Sequence, residues 1–244
     1  MTRTLRSVLL SSALLIGTGA SAQSTLPYPP VEPAIDTVIG LQESAENTLV
    51  AYLSPGCFSC LAFAYELTQA GLEEPLSDGR LYIIIRAVPT AMQAPTEEQG
   101  GDATRQSAMR HSINFALMSR CASHFEDDYA ELQTWAAIYV AYLNLDTAED
   151  REVWPYLSPE RMQQVLDNLR STYALNDDQV RACFQQGELR DNLMGVLQGY
   201  VAQSLELDPP GQVPAIFLNG ERIEWNLANK ASFLEALSDA LGTG

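Results

Sequence analysis

The chain has 244 residues, with 31 acidic against 14 basic side chains, a formal charge of −17 and 46% apolar residues. So large an acidic excess excludes general affinity for nucleic acid or for anionic membrane surfaces, both of which need a clustered cationic face. The apolar fraction excludes a disordered acidic segment, and four cysteines are too few for a sulfur-stapled mini-protein of this length.

Arg3 and Arg6 precede a short apolar stretch from Val8 to Gly19, and Ala20-Ser21-Ala22 fits the small-x-small rule for cleavage before Gln23. The stretch is shorter than the roughly 20 apolar residues that span a bilayer. Residues 1–22 therefore read as a cleaved signal peptide, and the mature chain as an exported periplasmic protein. Export means an oxidising compartment, which changes how each cysteine is read.

Residues 23–46 read as an irregular lead-in, since Pro27, Pro29, Pro30 and Pro33 disfavour an early helix. Thr48 to Leu53 is a compact, β-branched and apolar run, the pattern of a buried strand. Ser54-Pro55-Gly56 ends it. From Cys57 onward, Cys60, Phe63, Ala64, Leu67 and Ala70 recur at helical spacing. Asp78-Gly79 then turns the chain into a second buried strand, Leu81 to Ile85, which completes a βαβ unit.

Residues 89–210 contain no convincing strand and read as a helical insertion. Ile113, Leu117, Cys121 and Phe125 lie along one helical face, and a second helix spans about Leu132 to Leu143. Ser158-Pro159 offers a cap and a first-turn proline, Asn176 with Gln179 a capping box, and Gly187 a helix stop. Helix resumes from Glu188 to Leu207. Trp135, Trp154, Tyr139 and Tyr142 are expected to fill the core of this insertion. The chain then returns to sheet: Ala215 to Leu218 and Glu221 to Trp225 flank Asn219-Gly220, the strongest two-residue hairpin signal. Residues 229–241 form a closing amphipathic helix. The length left after the leader suits either one domain with an insertion or two small domains.

Cys57-Phe58-Ser59-Cys60 is the central chemical feature. Two cysteines on a helix's first turn can close into a small disulfide. The first sulfur meets unpaired backbone N–H groups and the positive end of the helix dipole. Both favour thiolate over thiol and lower the thiol pKa, which makes the sulfur a good leaving group. A zinc half-site is the competing reading, but zinc needs a second pair or suitably spaced histidines. Neither Cys121 with His124 nor Cys183 supplies that pattern, so no metal or cofactor is expected. Val213-Pro214 stands directly before the strand that begins at Ala215. Read alone it is an ordinary trans proline following Pro209-Pro210-Gly211.

Taken together, the strand Leu49 to Leu53, the helix opening on Cys57 to Cys60, the long helical insertion and Val213-Pro214-Ala215-Ile216-Phe217-Leu218-Asn219-Gly220 resemble the DsbA-like thiol:disulfide oxidoreductases of the thioredoxin superfamily. The resemblance covers about residues 47–243. It implies an α/β thioredoxin fold with a large all-helical insertion between the second strand and the cis-Pro strand, and so one domain with an insertion: residues 47–88 and 211–244 as the α/β domain and 89–210 as the insertion. It also implies a nucleophile at Cys57, a resolving thiol at Cys60 and a cis peptide that sets Val213 and Pro214 beside them as a substrate loop. Two positions depart from the family. The strongest oxidants carry a histidine between the cysteines, where this chain has Phe58-Ser59. A buried acid often lies six residues before the first cysteine, where this chain has Ala51. The thiolate is therefore expected to be stabilised, but less than in the most oxidising relatives.

Cys121 and Cys183, on apolar helix faces, are either two buried thiols or, in an oxidising compartment, a structural disulfide. His111 and His124 read as solvated or capping residues. Glu73-Glu74, Glu126-Asp127-Asp128 and Asp177-Asp178 read as solvated turns and helix starts. Phe58 is expected to be exposed, forming with Ser59 an apolar substrate surface.

The function expected is an exported oxidoreductase that donates the Cys57–Cys60 disulfide to unfolded or newly exported thiol proteins and is re-oxidised by a membrane redox partner. About 25 residues between Gln23 and the first strand leave no room for a separate dimerisation domain, so a monomer is expected. An isomerase or reductase, or a Cu(I)-binding module using the same pair, are the alternatives.

Overall fold

The computed structural model describes residues 26–32, 35–41, 45–89, 101–144, 159–172, 176–185 and 187–242. The expected signal peptide, Trp154 and Ser158 lie outside them. Five strands form one sheet: β1 (Val38–Gly40), β2 (Asn47–Leu53), β3 (Leu81–Ala87), β4 (Ala215–Leu218) and β5 (Glu221–Ile223). Their order is β1-β3-β2-β4-β5, with β2 and β3 parallel and every other neighbouring pair antiparallel. Helices α1 (Phe58–Gln69) and α2 (Glu73–Ser77) connect β2 to β3. Helices α3 (Gly101–Phe125), α4 (Asp128–Leu143), α5 (Pro159–Thr172), α6 (Asp177–Phe184) and α7 (Glu188–Leu205) fill the interval before β4, and α8 (Lys230–Ala240) closes the chain. Among the described residues that interval holds only helices, as the thioredoxin fold with a helical insertion requires.

The central strands are buried on both faces, so their sequences run continuously apolar instead of alternating. Ala51 sits at the middle of the sheet, opposite Ile85 on β3 and Ile216 on β4. The β4–β5 hairpin turns at Asn219 (φ 54°) and Gly220 (φ 84°), the double positive φ that an Asn-Gly pair accommodates. Asn219 also serves the start of β2: its Oδ1 accepts the Thr48 N–H at 2.9 Å, and its Nδ2 donates to Asn47 Oδ1 at 2.8 Å. The capping box of Asn176 and Gln179 opens α6 as its spacing predicts. The acidic pairs stand at helix starts: Glu73 and Glu74 on α2, Asp127 capping α4, Asp177 and Asp178 on α6.

The lead-in departs from its irregular reading. Three of its residues form β1, too short a strand to show a period, and the segment before it is clasped by buried charge. Arg86, on β3 and fully buried, spends all five guanidinium donors. Nε and Nη2 each reach a carboxylate oxygen of Asp36 at 2.9 Å, Nη1 the Pro29 carbonyl and Tyr52 hydroxyl, and Nη2 also the Pro30 carbonyl. The second strand therefore runs through Arg86 to Ala87 instead of stopping at Ile85. Arg120 of α3 donates to Glu131 of α4 at 3.1 Å, to the Ile35 carbonyl at 2.9 Å and to Thr37 Oγ1. The Tyr200 hydroxyl of α7 donates to the same Ile35 carbonyl at 3.0 Å. Burial pushes the Glu131 carboxyl and the Tyr52 phenol above their ordinary ranges, while Arg120 and Arg86 pull the other way.

A disulfide joins Cys121 of α3 to Cys183 of α6, their Cα atoms 6.0 Å apart and both side chains fully buried. Gly187 does not end α6, which stops at Phe184; in extended backbone it stands as the cap of α7.

Asp36→Ala strands the Arg86 guanidinium without its counter-charge, and stability is expected to fall by about 3–5 kcal/mol. The denaturant midpoint measures it, and a loss under about 1 kcal/mol would show that water replaces the carboxylate. Replacing both Cys121 and Cys183 by Ser releases a cross-link spanning 62 residues. It is expected to cost up to about 4 kcal/mol on the chain-entropy account. An unchanged midpoint would show that the helix packing alone fixes this part of the insertion.

Candidate active site

The turn after β2 delivers Cys57 to the head of α1. The Cys57 N–H donates to the Ser54 carbonyl at 3.0 Å, and the Gly56 N–H to Ser54 Oγ at 3.3 Å. Cys57 itself has extended backbone (φ −110°, ψ 110°) and is the N-cap of the helix. Its Sγ accepts the Cys60 N–H at 3.3 Å. A sulfur thus takes the capping role that a Ser, Thr or Asp oxygen commonly takes. Cys57 and Cys60 are bonded to each other, with Cα atoms 5.2 Å apart. Their exposures differ: Cys57 is 8% exposed and Cys60 is 0% exposed. A thiolate arriving from solution can reach only the first sulfur.

The loop before β4 completes the site. The Val213–Pro214 peptide is cis, and the Val213 carbonyl oxygen lies 3.9 Å from Cys57 Sγ. Val213 is buried, while Pro214 is half-exposed beside it. A carbonyl at that position accepts from a Cys57 thiol and gives nothing to a thiolate, so it opposes the helix terminus in setting the protonation state. β2 brings no carboxylate beneath the disulfide at position 51, because Ala51 is fully buried in apolar surroundings.

Phe58 differs from its expectation. Its ring is half-buried, packed on Tyr142 (centroids 5.0 Å apart) and Tyr139 (5.3 Å), and Tyr139 in turn packs on Tyr65 of α1 at 5.2 Å. Both tyrosines stand on α4, which lies against α1. The insertion thus supplies the apolar surroundings that the thioredoxin part alone does not offer this ring. Tyr139 and Tyr142 accordingly reach the dipeptide between the cysteines, whereas Trp135 fills the helical core as expected. Burial raises the Tyr139 phenol above its ordinary range. Ser59 is half-buried, and its carbonyl accepts the Trp225 indole N–H at 2.9 Å. Trp225 was expected inside the last strand; it lies just beyond β5, buried against Phe63 and Phe233. Its distance from Cys60 in sequence, with no motif to link them, hid it from sequence reasoning. His124 is exposed and stacks on Phe125 at the end of α3.

The thioredoxin family model matches residues 35–239. The chain belongs to the thioredoxin family. A search of curated protein sequences finds no match. Among solved structures, the fold is similar to the thiol-disulfide exchange protein alpha-DsbA2 from Wolbachia pipientis, with TM-score 0.52, 14% identity, and 88% of this chain and 89% of that chain covered. It is similar also to oxidised BdbD from Bacillus subtilis, with TM-score 0.55 and 14% identity over 88% and 97% of the two chains. Chlamydia trachomatis DsbA matches with TM-score 0.53 and 13% identity over 87% and 96%. The fold is that of the DsbA-like proteins, as the resemblance of the sequence implies.

Phe58→Ala removes a ring shared between the two parts of the molecule. Stability is expected to fall by about 1–2 kcal/mol, read from the thermal or denaturant midpoint. No change would place the ring in solvent.

Proposed function

We propose that this protein is an exported thiol:disulfide oxidoreductase that donates the Cys57–Cys60 disulfide to substrate proteins. The observation that carries the proposal is Cys57 Sγ as the cap of α1: it is the partly exposed member of the bonded pair, and it accepts a helix N-terminal amide. A substrate thiolate attacks Cys57 Sγ, the Cys57–Cys60 bond breaks, and its electron pair leaves on Cys60, which takes a proton. A second substrate thiolate then attacks the substrate sulfur of the mixed disulfide. Cys57 departs as the thiolate that the helix terminus stabilises. Two substrate thiols are oxidised to one disulfide, and the pair is reduced by two electrons.

Export rests on the sequence: the basic start at Arg3 and Arg6, the short apolar stretch and Ala20-Ser21-Ala22 before Gln23. Among the described residues no helix is long and apolar enough to cross a membrane. An oxidising compartment would supply the thiol substrates, and a membrane redox partner would restore the disulfide. The loop of Val213 and Pro214 offers backbone groups to an extended substrate peptide beside Cys57. The cap favours disulfide donation, while the lack of a histidine in Phe58-Ser59 and of a carboxylate at position 51 keeps the pair milder than the strongest oxidants.

The test is the equilibrium of the pair against glutathione, combined with disulfide transfer to a reduced, unfolded protein. The potential is expected between about −120 mV, that of a strong donor, and about −270 mV, that of a dithiol reductant. Cys57→Ser is expected to abolish transfer. Cys60→Ala, which has no disulfide to donate, is expected to abolish it as well, and to hold a mixed disulfide on Cys57 only when the protein offered already carries a disulfide for Cys57 to attack. A potential at or below about −270 mV, or transfer that survives Cys57→Ser, overturns the proposal.

A further inference from the structure

The peptide group between Ser59 and Cys60 is held at both ends. Its N–H is shared between Cys57 Sγ at 3.3 Å and the Cys57 carbonyl oxygen at 3.0 Å, and its own carbonyl oxygen accepts the indole N–H of Trp225 at 2.9 Å. Indole, amide and sulfur form one chain of hydrogen bonds that ends on the reactive atom. The indole cannot readily swing away, because its ring packs edge-on against Phe63 at 5.2 Å and Phe233 at 5.5 Å, and the residue is only 8% exposed.

We propose that Trp225 is a positioning residue that stabilises the Cys57 thiolate by polarising the amide they share. A donor on a carbonyl oxygen draws electron density through the amide and makes its N–H a stronger donor, as in any hydrogen-bonded chain at low local dielectric. The gain depends on what the N–H faces. A bonded sulfur is neutral and gains little, whereas a thiolate carries a full negative charge and gains more. The indole therefore favours the reduced, ionised state over the disulfide and improves Cys57 as the leaving group when product is released. Packing against Phe63 and Phe233 calls for an aromatic ring but not for an N–H. Trp225 supplies both, and its N–H meets the carbonyl of the amide that faces the sulfur. The inference rests on the redox reading of Cys57 and Cys60 and adds a residue from the far end of the chain to it.

The test uses two replacements. Trp225→Phe keeps an aromatic ring and loses the N–H. Benzothienylalanine incorporated at position 225 keeps the ring's size and replaces the N–H by a sulfur, which serves if the phenylalanine variant folds poorly. The thiolate absorbance of reduced protein is followed against pH, and the Cys57–Cys60 equilibrium against glutathione. Both replacements are expected to lower the thiolate-to-thiol ratio about two- to threefold at a given pH below the midpoint, and to shift the glutathione equilibrium toward the bonded pair by a similar factor. Phe233→Leu loosens the packing but keeps the N–H, so it is expected to lower the melting temperature and leave the thiolate midpoint in place. If both replacements titrate as the parent does and only melt earlier, Trp225 is a packing residue and the proposal is overturned. A parent protein that exchanges with no thiol sinks the redox reading instead, and the titration still decides the effect of the indole.

Discussion

A sulfur stands at the head of α1 where an oxygen commonly caps a helix, and the chemistry of the site depends on that one interaction. An oxygen there would satisfy an orphan amide and do nothing further. Sulfur satisfies the same amide, yet it can also be bonded to a neighbour or ionised, and the Cys60 N–H responds to each state. The cap is strongest when the sulfur is anionic, so the stability of the helix start and the redox state of Cys57 are linked through one hydrogen bond. Much of the surrounding fold serves to keep that sulfur in place. β2 and the Ser54 turn hold Cys57 in extended backbone, which a cap requires, and the strand beside β2 brings the Val213 carbonyl to its other side.

A second constraint lies within the frame. Arg86 sits on a central strand with no exposure, a placement that is tolerable only because every donor is matched and the charge is paired with Asp36. Arg120 and Glu131 form a second charge pair between α3 and α4, though there the buried Arg120 Nε and Glu131 Oε1 find no hydrogen-bond partner among the described residues. Both arginines bind the segment ahead of β1, Arg86 at Pro29, Pro30 and Asp36 and Arg120 at Ile35 and Thr37, so that segment is tied to sheet and insertion alike. Its position bears on the site through α4. The helix that carries Glu131 also carries Tyr139 and Tyr142, which lie on Phe58. The aromatic surroundings of the dipeptide are thus fixed in part by ion pairs elsewhere in the fold.

Features whose physics is local were legible in the sequence. Leu49 to Leu53 and Leu81 to Ile85 could only be doubly buried strands, Asn219-Gly220 carries its turn geometry within two residues, and Asn176 with Gln179 caps its helix within four. The α/β class followed from the order of such elements, and the thioredoxin fold from the family resemblance they carry together with the cysteine pair. What escaped depends on partners far apart in the chain. Arg86 looked like the end of a strand because its counter-charge lies 50 residues earlier. β1 has three residues and takes its structure from β3. Phe58 looked exposed because the tyrosines that receive it stand some 80 residues later, where they read as core of the insertion. Trp225 read as a strand residue because nothing local ties it to Ser59.

The two departures from the family's pattern acquire a physical meaning in this geometry. A histidine between the cysteines would stabilise an anion with a charge that itself changes near neutral pH, and a buried acid would place a second titrating group behind the sulfur. This chain has Phe58 and Ala51 at those positions. The donors found at Cys57 and Ser59 are a backbone amide and an indole, and neither titrates. Stabilisation that comes from fixed dipoles is weaker than stabilisation by a full charge, but it does not vary with pH and needs no reorganisation as the sulfur ionises. The donors described at Cys57 are thus groups that do not gain or lose a proton, and the pH dependence of the pair is left to the two thiols themselves.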